Sequence, residues 1–199
     1  MPYSVEHCAI VVLAAGASSR LGSPKQLLPY KGRLLLQYVT DVALQTGMRP
    51  VVIITGEDSD AIKKQMEGME IELVKNEGWQ EGMASSLLCG LVTVQKKKPG
   101  ADGIIFMVCD QPYVTSTLLD RLLQAQHETG LPVVASHYQN SLGTPALFHQ
   151  SFFTKLLELK GDIGARKLIK KHEELVATVS FPEGIIDIDT RADYELLLR

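Results

Sequence analysis

A continuous apolar run, Cys8-Ala9-Ile10-Val11-Val12-Leu13-Ala14-Ala15, stops at Gly16 near the start of the chain. The run has no polar alternation, and its β-branched residues favour an extended backbone. This pattern is typical of a strand that is covered on both faces, as in a parallel sheet. We therefore predict a buried parallel β-strand that ends in a glycine turn.

The same kind of pattern recurs along the chain and alternates with helical periodicity. Further strands are predicted at 51–55, 104–109 and 133–136, and helices at 34–45 and 117–127, with glycines closing both helices. Alternating strands and helices predict an α/β protein with crossover connections. Only the segment 140–149, which contains Gly143-Thr144-Pro145, interrupts the alternation, and we expect it to be an excursion beside the sheet.

The composition is that of a globular domain. Of 199 residues, 45% are hydrophobic and 22% are charged, and the net charge is -3. This balance excludes a basic surface for nucleic acid. No apolar run reaches the ~18 residues of a membrane span, no signal peptide is recognisable, and the three cysteines are far apart. We predict one domain over residues 1–199 in a cytoplasmic protein without a nucleic-acid or membrane partner.

Parallel sheets bind ligands at the carboxyl ends of their strands, so the turn after the first strand is a candidate site. Small residues from Ala14 to Ser19 let the backbone approach a ligand closely, and Arg20 and Lys25 add positive charge. The segment predicts a triphosphate-binding loop. Its spacing is neither that of a Walker A loop nor that of a dinucleotide fingerprint, and the alternative is a plain glycine turn.

Asp110 follows the apolar strand predicted at 104–109. A carboxylate at a sheet edge needs a neutralising charge, and a hard cation such as Mg²⁺ supplies one while it binds phosphate oxygens. The alternative is a helix cap. Asp187 and Asp189 alternate on an extended segment, so we expect at most one of them, Asp189, to share a site with Asp110.

A polar turn at 76–84 leads into a helix predicted over 85–94. Gly82 and the start of the helix offer backbone donors, and the Asn76 amide has the donor and acceptor groups to recognise the edge of a base. The alternative is that Ser85 caps the helix and Trp79 packs at the rim.

Several spaced motifs together resemble the molybdenum cofactor nucleotidyltransferases, within the sugar-phosphate-type nucleotidyltransferases. The resemblance covers nearly the whole chain. Its motifs are Leu13-Ala14-Ala15-Gly16-x-Ser18-x-Arg20-Leu21-Gly22-x-x-Lys25, Gly82-x-x-x-Ser86-x-x-x-Gly90, Asp110-x-Pro112, Gly143-x-Pro145-x-x-Phe148, Gly161-Asp162-x-Gly164-Ala165-Arg166 and Asp187-Ile188-Asp189-Thr190.

The resemblance implies a three-layer α/β/α Rossmann-like nucleotidyltransferase fold with a mostly parallel central sheet. Ala15 before Gly16, together with the segment 161–166, resembles the cytidylyl branch of the family rather than the guanylyl branch. The implied reaction transfers CMP from CTP to molybdenum-loaded molybdopterin with Mg²⁺ as cofactor, and releases pyrophosphate. Thr144 and Leu21 depart from the residues common in the family.

The resemblance also implies roles for individual residues. Lys25, Arg20 and Asp110 are the expected catalytic residues, and Asp110 and Asp189 the expected metal ligands. The expected nucleotide-binding residues are Leu13, Ala14, Ala15, Gly16, Ala17, Ser18, Ser19, Arg20, Lys25, Asn76, Gly82 and Ser86. The expected acceptor-binding residues are Gly143, Thr144, Pro145, Gly161 and Asp162.

Two alternatives remain at this stage. One is a nucleotidyltransferase that uses GTP, or that acts on another acceptor such as a sugar or polyol phosphate. The other is a non-catalytic carrier that hands the cofactor to a molybdenum hydroxylase client. Arg20, Lys25 and Asp110 argue against a carrier, because a carrier has no use for a triphosphate site.

Overall fold

The computed structural model describes residues 5–18 and 21–198. Its strands are β1 (Cys8–Ala14), β2 (Pro29–Tyr30), β3 (Arg33–Leu34), β4 (Val51–Thr55), β5 (Glu72–Lys75), β6 (Gly103–Val108), β7 (Val133–Tyr138), β8 (Ser141–His149) and β9 (Val176–Ser180). Its α-helices are α1 (Leu35–Gln45), α2 (Ser59–Gln65), α3 (Met83–Lys97), α4 (Ser116–Thr129), α5 (Phe153–Leu157), α6 (Ala165–Lys171) and α7 (Arg191–Leu197). Short 3-10 helices connect several of these elements.

The central sheet has seven strands in the order β5-β4-β1-β6-β8-β7-β9, and β2 and β3 form a separate hairpin. Strands β5, β4, β1 and β6 run parallel to one another, β8 runs antiparallel to both of its neighbours, and β9 is parallel to β7. This mixed and mostly parallel sheet confirms the predicted α/β class.

Helices cover both faces of the sheet, as the uninterrupted apolar strands require. In β1, Ile10 and Val12 face one core, which includes α1 and α4, while Val11 and Leu13 face a second core, which includes α3 and α6. All seven residues of β1 are buried. Strand β1 therefore packs against a helical layer on each face of the sheet, which gives the three-layer architecture.

The prediction that residues 140–149 lie beside the sheet is wrong. Strand β8 pairs with β6 on one side and with β7 on the other. Gly143 and Pro145 favoured an excursion over a strand, because glycine and proline are disfavoured inside a sheet. The pairing of β7 with β8 shifts register between Ala135 and Ser136, and this irregularity accommodates a proline that has no N–H group to donate.

The register of the sheet brings the predicted ligand loops to one edge. Leu13 in β1 pairs with Val108 in β6, and Ala14 pairs with Thr55 in β4. The N–H of Ile188 donates to the carbonyl oxygen of Asp110 at 3.1 Å. This hydrogen bond draws the segment after β9 to the same edge. The described residues include no helix that is both long and apolar enough to cross a membrane.

Candidate active site

Three charged side chains from distant parts of the chain meet at the carboxyl edge of the sheet. The Lys25 Nζ donates hydrogen bonds of 2.9 Å to Asp110 Oδ2 and of 2.9 Å to Asp189 Oδ1. Lys25 begins a 3-10 helix, and its backbone N–H donates to the Ser18 hydroxyl at 3.0 Å. Since Lys25 is only 8% exposed, one nearly buried cation faces two carboxylates.

The electrostatic balance keeps Lys25 charged. Burial by itself would lower the pKa of Lys25, but the charge of Asp110 and the hydrogen bonds to Asp110 and Asp189 outweigh burial and raise the pKa above its usual value. The site therefore presents a fixed positive charge at neutral pH.

The loop after β1 is held by a side chain that the sequence motifs leave unassigned. Gln26, which is 1% exposed, donates its amide to the carbonyl oxygens of Ala14 at 2.7 Å and Gly16 at 3.1 Å. Ser18 has a φ of 49°, in the left-handed region. A Cβ atom on Gly16 would meet nothing within 4 Å, so the protein itself leaves open space at this glycine.

A cavity of about 340 Å³, which we call the loop cavity, lies against this loop. Of the predicted site residues, Leu13, Ala15, Gly16, Ala17, Lys25, Gly82, Ser86, Asp110 and Asp162 line it. Trp79 stands at its wall. Ser19 and Arg20, which were predicted to bind phosphates, lie outside the described residues.

Asn76 does not line the loop cavity. Its Nδ2 donates to the hydroxyls of Ser85 at 2.8 Å and Ser86 at 3.0 Å, and its Oδ1 accepts from the N–H of Gly78 at 3.0 Å. Both amide hydrogens are used in these bonds, so no donor is left for a base. Asn76 therefore stabilises the turn before α3, and its partner Ser86 lines the loop cavity.

The segment at 161–162 packs closely against this turn at Gly82. A Cβ atom on Gly82 would lie 2.5 Å from Asp162 Oδ1 and 2.6 Å from the Gly161 carbonyl oxygen, and its φ is +107°. The N–H of Ala84 donates to the Gly161 carbonyl at 3.0 Å. Gly161 and Asp162 were predicted to bind the acceptor, but the structure places Asp162 in the loop cavity, on the predicted nucleotide side.

A second cavity of about 460 Å³, which we call the distal cavity, is lined by two of the other three predicted acceptor residues. Gly143 and Thr144 line it, whereas Pro145 is buried and its carbonyl accepts a hydrogen bond of 2.7 Å from the Ser136 hydroxyl. Four residues line both cavities: Leu13, Met83, Val108 and Asp110. The two cavities therefore meet at Asp110.

The prediction that only one of Asp187 and Asp189 lies near Asp110 is wrong. Residues 186–189 form no strand, so strict alternation does not apply, and Asp187 lines the distal cavity together with Asp110. Burial, followed by the charges of Asp189 and Asp110, raises the pKa of Asp187. Within residues 5–18 and 21–198, no group of three or more His, Cys, Asp or Glu side chains is arranged as a metal site.

Residues 10–175 match the family model described as the MobA-like NTP transferase domain. The chain belongs to this family. It is accordingly a nucleotidyltransferase of the MobA-like type. The loop cavity and the distal cavity both fall largely within the matched residues, and Asp189 lies beyond them.

Two relatives of this MobA-like transferase cover almost its full length. Nicotine blue oxidoreductase of Paenarthrobacter nicotinovorans is 32% identical over 192 residues, which are 90% of this chain and 91% of that protein. The crystal structure of Rv0371c from Mycobacterium tuberculosis H37Rv is 33% identical with a TM-score of 0.84, and the match covers 98% of this chain and 99% of that one. A structure of Rv0371c in complex with manganese is 31% identical with a TM-score of 0.79, and covers 96% and 97% of the two chains.

Sequence reasoning missed three polar residues of this MobA-like transferase. Gln26 and Gln111 occupy unassigned positions beside Lys25 and Asp110, so their closeness to charged motif residues was an available signal. Tyr138 lies at the end of β7 and reaches the distal cavity only because β7 and β8 pair as neighbours. No local pattern marks such a residue.

Proposed function

We propose that this MobA-like transferase moves CMP from CTP to molybdenum-loaded molybdopterin, which gives molybdopterin cytosine dinucleotide and pyrophosphate. The proposal is carried by one observation. Lys25 lines the loop cavity and donates a hydrogen bond to Asp110, the charged residue that lines both the loop cavity and the distal cavity. A nucleotide in the first cavity and an acceptor phosphate in the second would react beside the same cation.

The chemistry needs charge neutralisation more than it needs a base. An oxygen of the acceptor phosphate forms a bond to the α-phosphorus, the bond from that phosphorus to the bridging oxygen breaks, and pyrophosphate leaves with the electron pair. Both reactants are anions, so alignment and preorganised positive charge lower the barrier. We assign Lys25 to the α-phosphate and bridging oxygen, and the loop from Ala14 to Ser19 with Arg20 to the β- and γ-phosphates.

The residues at the junction fit a divalent metal ion. Asp110 and Asp189 supply oxygen ligands of the kind that hard cations prefer, and their hydrogen bonds with the Lys25 ammonium hold the two carboxylates close together. Mg²⁺ would neutralise phosphate oxygens there. The existence of a manganese complex of the similar protein Rv0371c supports the use of a divalent ion.

The choice of CTP and of molybdopterin rests on the resemblance in the loop at Ala15 and in the segment 161–166. GTP, or another phosphorylated acceptor, is the alternative. The name of the Paenarthrobacter relative denotes an oxidoreductase, which is a different class of enzyme. A further alternative is a carrier that binds the cofactor without transferring a nucleotide to it. We further propose that the product passes to a molybdenum hydroxylase.

The test is release of pyrophosphate by the purified protein with Mg²⁺ and molybdenum-loaded molybdopterin, in parallel with CTP, GTP, ATP and UTP. We expect turnover with CTP only. Asp110→Asn should abolish most of it, and Asp120→Asn, on the exposed side of α4, should leave it unchanged.

Other outcomes of the same assay discriminate among the alternatives. Turnover with GTP would keep the enzyme class and overturn the argument from Ala15. Turnover with a sugar or polyol phosphate in place of molybdopterin would contradict the proposal that molybdopterin is the acceptor. Tight binding of molybdopterin without pyrophosphate release from any nucleotide would favour the carrier.

A further inference from the structure

The distal cavity adjoins a third cavity that shares no lining residue with the loop cavity. The two share Ser141 and Arg166, and the third cavity has a volume of about 530 Å³. Since the distal cavity also shares Asp110 with the loop cavity, the three cavities form an adjoining series. A ligand whose phosphate lies at Asp110 can therefore extend through the distal cavity to Arg166, where the third cavity begins.

Tyr138 forms a rigid part of the distal wall. A Cβ atom on Gly143 would lie 2.0 Å from the Tyr138 hydroxyl, and one on Gly184 would lie 2.6 Å from its ring carbon Cδ1. The ring of Phe181 meets the Tyr138 ring edge-on at a centroid distance of 6.4 Å. Two glycines and one aromatic ring thus fix the phenol in place, which is the preorganisation that a recognition group needs.

Two further polar residues, Gln111 and Thr144, line the same cavity as this phenol. Gln111, only 4% exposed, donates to the Gly184 carbonyl at 2.8 Å, and the Thr144 hydroxyl donates to Gln111 Oε1 at 3.4 Å. Burial raises the pKa of Tyr138 and the charge of Arg166 opposes the rise, so the phenol is protonated at neutral pH. The wall therefore offers neutral hydrogen-bonding groups next to Asp110.

The far end of the series is basic. The guanidinium of Arg166 donates to the Ser141 hydroxyl, which ties it to the wall. Lys170 lies one turn later on α6 and also lines the third cavity, whose remaining lining residues are His137, Asn140, Leu142 and Glu173. The charged residues of the third cavity are two permanent cations, Arg166 and Lys170, and one carboxylate, Glu173, so this cavity attracts a negative group. The region around Asp110 differs, because carboxylates surround it.

We infer that Tyr138 and Arg166 select the acceptor, and that the acceptor is an elongated phosphate monoester with a second anionic group at the end opposite its phosphate. The inference rests on the proposed function, because it takes the phosphate to lie at Asp110. A polyol phosphate with one charged end would give Arg166 nothing to bind. Molybdenum-loaded molybdopterin, with a negatively charged metal dithiolate end, fits this class.

The test compares steady-state kinetics of Tyr138→Phe and Arg166→Gln with those of matched controls. Tyr113→Phe removes a partly exposed phenol that lines none of the three cavities, and Lys167→Gln removes an exposed cation from the same helix as Arg166. With molybdenum-loaded molybdopterin we expect the acceptor KM to rise about tenfold in each test variant, which corresponds to about 1.4 kcal/mol. The KM for CTP should stay unchanged, and both controls should behave as wild type.

An acceptor KM within twofold of wild type in both test variants, or an equal rise in the KM for CTP, would overturn the inference and leave the proposed function standing. Wild-type turnover of a polyol phosphate but not of molybdopterin would overturn both. If the wild type turns over no acceptor, calorimetric binding of molybdopterin decides: weaker binding to Arg166→Gln than to Lys167→Gln supports the inference, and equal binding overturns it.

Discussion

The ammonium nitrogen of Lys25 lies 2.9 Å from a carboxylate oxygen of Asp110, although 85 residues separate the two along the chain. Their contact follows from the sheet, because β1 and β6 are parallel neighbours and both residues come after the ends of those strands. Asp189 joins them through the hydrogen bond that ties Ile188 to Asp110. The fold therefore brings these three charged side chains into contact with one another.

Replacing Lys25 tests its proposed role directly. We expect Lys25→Met to lower kcat for pyrophosphate release by about 10²–10³, the loss typical of removing one preorganised charge-stabilising group. The fold should persist, since the side chains of Asp110 and Asp189 are 22% and 33% exposed and water can solvate them. Circular dichroism checks the fold, and Lys64→Met, an exposed lysine on α2, is the control. A folded Lys25→Met enzyme with near-normal kcat would remove Lys25 from the mechanism.

Asp187 should make stability depend on pH. Burial and the charges of Asp189 and Asp110 raise the pKa of Asp187 in the folded chain. Ionised Asp187 therefore lowers the free energy of unfolding at neutral pH. This loss disappears below the unfolded-state pKa of about 3.9, where the residue is protonated in both states. We expect Asp187→Asn to raise the Tm at pH 7 by about 1–2 °C, a small gain because the residue is largely solvated. Calorimetry at pH 3 should show no gain. A gain that is equal at both pH values would contradict this electrostatic explanation.

Asn76 should matter for the turn and not for the identity of the base. Asn76→Ala leaves Ser85, Ser86 and Gly78 without their shared partner, so we expect a loss of about 1–3 kcal/mol in the free energy of unfolding. The KM values for CTP, GTP, ATP and UTP should rise by similar factors. Denaturant unfolding and nucleotide kinetics measure the two effects. Unchanged stability with a change confined to one nucleotide would restore the base-reading role.

The sequence predicted the parts of the fold that local patterns determine. The apolar run at β1 and the position of Asp110 after β6 both follow from composition and from the rule that parallel strands place ligands at their carboxyl ends. Strand β8 was missed because Gly143 and Pro145 are tolerated there only through a register shift between partner strands. Tyr138 was missed for the same reason, since its place in the distal cavity depends on pairing between strands and not on local sequence.

Gly90 should be essential for the fit between α3 and the sheet. A Cβ atom there would lie 2.5 Å from Val11 Cγ1, and Val11 is fully buried in β1 and cannot retreat. Alanine ordinarily stabilises a helix by about 1 kcal/mol over glycine, but overpacking a core costs about 1–3 kcal/mol, so we expect Gly90→Ala to be destabilising.

The steric origin of this effect can be isolated with a double-mutant cycle. Val11→Ala removes the methyl group that Gly90→Ala would strike, so in that background the second substitution should cost nothing or should stabilise the protein. Urea unfolding of the four proteins measures the coupling. Because α3 begins with Met83 and carries Ser86 into the loop cavity, Gly90→Ala alone should also raise the KM for CTP. Additive effects of the two substitutions on stability would show that the contact with Val11 is not what requires glycine at this position.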